Sequence, residues 1–116
     1  MFPESNNCYG RIKPACNLGS LAIQLSNRGW QTRFQAASCL SRESLRVEAD
    51  SIELRFEPTD GGQHLFNGAF DGNRGEFALT KLSSDFRDLQ IPHRFELYND
   101  SDSLYREFKF ADDFLG

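Results

Sequence analysis

The sequence predicts an α+β fold: one domain over residues 1–116, a twisted antiparallel sheet of about five to seven strands with two short helices packed on one face. Three observations carry this. Leu45, Val47 and Ala49 alternate with charged residues, and then the phase slips so that Ile52, Leu54 and Phe56 alternate with Glu53, Arg55 and Glu57. A two-residue turn at Asp50-Ser51 accounts for the slip and pairs Leu45 with Phe56, Val47 with Leu54 and Ala49 with Ile52 on one face. Leu18, Leu21, Ala22 and Leu25 have the spacing of an amphipathic helix, and further alternating segments recur to the C-terminus. A helix over 43–57 would align Leu45, Ala49, Ile52 and Phe56, but it would strand Val47 and Leu54 on its polar side.

Taken in order, the first fifteen residues hold Pro3 and Pro14, with a short edge strand expected over 9–13. Asn17 caps a helix over 18–28, and Gly29 stops it in the left-handed region. Residues 30–36 alternate as a strand, with Trp30 placed to pack back on that helix. After the 45–56 hairpin, Pro58-Thr59-Asp60-Gly61-Gly62 is a turn, and the next strand starts near Gln63. Strands over 65–70 and 76–80 are expected to pair across 71–75, with Gly68 weakening the first or marking a bulge. A short helix over 82–90 is capped by Ser83 or Ser84 and stopped by Pro92. The last hairpin sets Leu97 opposite Phe108, Phe95 opposite Phe110 and Glu96 opposite Lys109. The tail frays or docks through Phe114.

Length and composition bound the function. A chain of 116 residues supports one core, and 11 phenylalanines supply much of it. Thirteen Lys and Arg against 17 Asp and Glu give a net charge of −4, which disfavours a nucleic-acid partner, since a phosphate backbone calls for a basic stripe. No apolar run approaches the roughly 18 residues of a membrane span, and the N-terminus lacks the basic and apolar regions of a secretory signal. The expected location is the cytoplasm. Cys8, Cys16 and Cys39 form no C-x-x-C pair, and an odd number fits free thiols; a Cys8 to Cys16 bridge is the alternative.

Chemistry-bearing patterns are sparse. His64 and His93 belong to no metal-binding spacing and read as surface loop residues. No G-x-S-x-G elbow is present, and the segment Asp71-Gly72-Asn73-Arg74-Gly75-Glu76 lacks the fifth and twelfth ligands of a calcium loop, so a hairpin turn is the better reading. No catalytic residue, metal or cofactor is assigned, and the chain is not expected to be an enzyme. What remains is acidic surface near tyrosines, a hot-spot combination for a basic protein. The candidate partner-binding residues are Glu96, Tyr98, Asp100, Asp102, Tyr105, Asp112 and Asp113.

In size, charge and style the chain resembles the immunity proteins of bacterial contact-dependent inhibition and related polymorphic toxin systems. That resemblance covers the whole chain loosely and rests on no motif, so it transfers no residue. It implies an antitoxin, a protein-binding inhibitor that docks an acidic surface over the active site of a basic toxin domain such as a nuclease. Two other classes fit the same features: an acidic chaperone or adaptor for a secreted effector, which would dimerise, and a small-ligand binder or enzyme with a Phe-lined pocket between helix and sheet. The sequence leaves the oligomeric state open.

Overall fold

The computed structural model describes residues 5–99 and 103–115. Its elements run β1 (Ser5–Ile12), α1 (Leu18–Ser26), β2 (Gln31–Gln35), β3 (Ser44–Ala49), β4 (Ile52–Pro58), β5 (His64–Asp71), α2 (Gly72–Asp88), β6 (His93–Tyr98) and β7 (Leu104–Phe110). The strands form one antiparallel sheet in the order β2-β3-β4-β5-β1-β6-β7. The α+β expectation therefore stands. β5 and β6 both pair antiparallel with β1, so they run parallel to each other and α2 is the crossover between them. The same alternation makes β1 and β2 parallel, with α1 joining them. Both helices bury their apolar sides on the same face of the sheet.

Local chemistry explains the elements that were legible. Asn17 Oδ1 accepts from the Ser20 backbone N–H at 2.8 Å, capping α1. Gly29 takes φ +94° at its exit, and the Trp30 N–H returns to the Leu25 carbonyl. The β3–β4 hairpin has the expected register, Leu45 with Phe56, Val47 with Leu54 and Ala49 with Ile52.

Four expectations need correction. First, the N-terminal strand is longer than 9–13 and sits in the middle of the sheet rather than at an edge. Second, residues 76–80 are not a strand and 71–75 are not a hairpin turn: one helix of 17 residues starts directly from β5 and absorbs both. Its glycines carry turn chemistry in sequence but act differently in the fold. Gly72 turns the chain at φ +49°, and a Cβ on Gly75 would lie 2.6 Å from Phe70 Cβ and 2.9 Å from the Ser51 carbonyl, so glycine there serves close packing and not a turn. Ser83 is buried inside this helix and does not cap it. Third, Gly68 marks no bulge, since β5 keeps regular register with both neighbours. A Cβ there would strike the Glu53 carbonyl and the Leu54 side chain. Fourth, the β6–β7 register is shifted by two residues, with Phe95 opposite Phe108, Arg94 opposite Lys109 and a bulge at Leu97/Tyr98. The shift puts Phe108 against Phe95, at 6.1 Å between rings, which continues the core row across the sheet.

That row is the centre of the core. Phe56, Phe66 and Phe95 stand on β4, β5 and β6 with ring centroids 4.9 and 4.8 Å apart, and Phe86 of α2 meets both Phe56 and Phe95 edge-on. The phenylalanines supply much of the core, as expected, and these rings line no pocket between helix and sheet among the described residues. At the helical edge, Asp85 is buried and accepts from Trp30 Nε1 at 2.8 Å, Lys81 Nζ at 2.8 Å and Arg28 at 3.2 Å. Trp30 thus reaches past α1 and ties the β2 entrance to α2. Burial opposes ionisation of Asp85, but these donors outweigh it and hold the carboxyl below its ordinary range.

Candidate protein-binding face

The second face of the sheet carries no described helix, and the register sorts its outward side chains into rows. Along the middle row the residues are Arg33, Arg46, Arg55, Asn67, Tyr9, Glu96 and Glu107, running from β2 to β7. Three arginines stand directly opposite one another at one end, and two glutamates do so at the other. A second row contains Glu48, Glu53, Ala69, Asn7 and Tyr98, and a third contains Glu57, Leu65, Arg11, Arg94 and Lys109. Like charges meet within each row, and each like-charged pair directly opposite costs a few tenths to about 1 kcal/mol.

Small side chains in the centre leave the face hollow. An open groove of about 510 Å3 is lined by Asn7, Tyr9, Asn67 and Ala69 with Arg46, Glu48, Glu53 and Arg55 at its charged side. Tyr9 packs edge-on against Tyr98 at 5.6 Å, and the Tyr98 hydroxyl approaches Glu96 at 3.4 Å. Partial burial, and then the Glu96 carboxylate, raise the Tyr98 phenol above its usual range. Arg94 and Glu107 pair at 2.9 Å and Arg55 with Glu57 at 3.0 Å, whereas among the described residues Arg33 and Arg46 have no carboxylate partner.

The residues singled out from sequence do not form one patch. Glu96 and Tyr98 belong to this face. Tyr105 does not: it lies toward the helices, 6.4 Å from the ring of buried Phe70, where burial and then Glu76 raise its phenol. Asp112 and Asp113 follow β7 at the end of the hairpin near His93, opposite the end where Tyr98 stands. Asp100 and Asp102 lie outside the described residues, as does the side chain of Phe114. Tyr9, Asn67 and the arginine row were missed. Their signal was present as outward alternation, but only the placement of β1 beside β5 and β6 brings them together.

Neither histidine is a surface loop residue. His93 is fully buried, with Nδ1 2.9 Å from the Ile91 carbonyl and Nε2 2.7 Å from Ser83 Oγ. The carbonyl can only accept, so Nδ1 carries the proton and the Ser83 hydroxyl donates to Nε2. This is the spacing of a nucleophile and its base, yet Ser83 is only 5% exposed and the pair ties α2 to β6 in the core. Burial holds His93 below the ordinary histidine range, and it does the same to His64, whose Nδ1 has no hydrogen-bond partner among the described residues. All three cysteines are free, with Cys8 buried and Cys39 exposed.

No described helix is long and apolar enough to cross a membrane. Comparison with family models, curated proteins and solved structures found no match to this chain.

Proposed function

We propose that this chain is a protein-binding inhibitor of the immunity type, which docks through the bare face of its sheet on a toxin domain and covers that domain's active site. The observation that carries the reading is the face itself: a hollow seven-stranded surface with two paired tyrosines and two asparagines near its centre, rimmed by charged side chains. Aromatic and amide groups surrounded by charges are the composition of a binding hot spot. The net charge of −4 steers the chain toward a basic partner at long range. The contact set differs from the acidic one expected from sequence, because this face carries a row of arginines as well as carboxylates; Tyr9, Tyr98, Asn67, Arg46, Arg55 and Glu96 make the contacts.

Co-purification tests this. A tagged chain expressed in its native host is expected to retain a basic toxin-like protein and to block its activity, and Tyr9→Ala is expected to weaken that retention more than tenfold with the fold intact. Capture of no such protein, or capture indifferent to Tyr9→Ala, would overturn the proposal.

A further inference from the structure

We infer that the bare face is self-complementary, and that without another partner it is covered by a second copy of this chain, laid face to face about a two-fold axis along β5. The inference rests on reading that face as a docking surface, and it commits to its own occupant. β5 is the fourth of seven strands. Rotation about an axis parallel to it therefore keeps each row in place and reverses its order, so that β2 of one copy faces β7 of the other.

Reversal matches the charges. In the middle row Arg33 meets Glu107 of the second copy, Arg46 meets Glu96 and Arg55 meets the ring of Tyr9, while Asn67 meets its own amide on the axis. Each contact occurs twice. In the row on one side Glu57 meets Arg11 and the half-exposed Leu65 meets its twin; in the other, Glu48 meets Tyr98, Glu53 meets the Asn7 amide and Ala69 sits on the axis. No like-charged pair is created in any of these positions. Ion pairs between rows, such as Arg94 with Glu107 and Arg55 with Glu57, offset part of the like-charge repulsion within one sheet, and a row of opposite sign on a second copy would offset the rest, above all at Arg33 and Arg46. Face-to-face sheets keep their mean strand directions within about 30° of each other, and an axis along β5 sets the two copies parallel.

The footprint is modest. Six strand spacings by about five residues gives roughly 500 Å2 of projected area per copy, below the roughly 800 Å2 of a standard interface. A weak dimer follows, favoured at low ionic strength because its contacts are charge pairs at a wet face.

Sedimentation equilibrium over a concentration series in roughly 50 mM salt, and again at about 500 mM where screening is nearly complete, decides the matter. The mass is expected to rise from 13.2 kDa toward twice that value with concentration at low salt, and less so at high salt. Arg46→Glu and Glu96→Arg are each expected to lower association at least tenfold, and the double variant to recover it. Circular dichroism of the exposed-site variants checks that the fold persists. A wild type that stays monomeric to millimolar concentration at low salt overturns the inference, as does a dimer indifferent to either reversal or a double variant as weak as the singles. A monomer that still captures a toxin-like protein through Tyr9 leaves the docking reading standing and removes only the second copy. A dimer that obeys the charge swap while no toxin-like protein is captured does the reverse.

Discussion

The covered face of the sheet and its bare face share the same seven strands and the same registers, yet their cross-strand neighbours follow opposite rules. On the covered side, Phe56, Phe66, Phe95 and Phe108 form a row in which each ring meets the next within 6.1 Å, and α2 adds Phe86 across it. On the bare side, one residue along each strand, the same strand pairs set Arg46 against Arg55 and Glu96 against Glu107. The first pattern is favourable throughout, whereas the second sets like charges side by side and offsets them only in part, through ion pairs such as Arg94 with Glu107 in the adjacent row. Where a sequence accepts unfavourable neighbours on a surface free to choose others, the gain is to be sought outside the chain.

Variants that strike both faces sharpen this contrast. The largest effect is expected from Phe95→Ala or Phe56→Ala, about 3–5 kcal/mol of unfolding free energy by urea titration, against less than about 0.5 kcal/mol for Arg46→Ala. Equal costs on the two faces would break the distinction. Next, Asp85→Ala strips the acceptor from Trp30, Lys81 and Arg28 and is expected to cost about 2 kcal/mol. Because the folded Asp85 carboxyl lies below its ordinary value, its contribution is present above that value, near 3.8, and disappears as pH falls toward the folded value. The wild type should therefore lose stability in acid with a component that Asp85→Ala lacks. A milder pH dependence is expected from His93 and His64. Both are held below the ordinary histidine value near 6.5, so the unfolded chain takes up protons first and stability declines as pH drops below about 6.5. Urea titrations at pH 7.5 and 5.5 should show the decline, and His93→Gln should reduce it. The smallest perturbation is a thiol reagent on the intact protein: Cys39 should react at once, while Cys8, whose thiol burial pushes far up, reacts only on unfolding.

How much of this was legible depended on how local its cause was. The 45–56 hairpin and its register could be read because alternation and a two-residue turn settle them within twelve residues. The start of α2 could not, because Gly72 and Gly75 carry turn chemistry in sequence, whereas Gly72 makes the abrupt turn from β5 into the helix and Gly75 is required by the Ser51 carbonyl and Phe70 packed against it. Similarly, apolar and charge pairing together predict a β6–β7 register two residues away from the one observed, because in the fold Phe108 continues a row begun on β4. The docking face was half visible. Glu96 and Tyr98 were identified, but their neighbours Tyr9 and Asn67 come from strands whose adjacency no local pattern announces.

Strand β1 is synthesised first and ends in the middle, flanked by partners from positions 64–71 and 93–98. Until those emerge from the ribosome it has no edge to join, so its docking must wait for residues 64–98 and close loops of about 60 and 90 residues, which slows it. A slot that stays vacant so long will accept any strand of matching sequence. Chains cut after residue 12 should accordingly be rescued by a synthetic peptide of the missing segment, and crowded nascent chains risk exchanging this strand with one another.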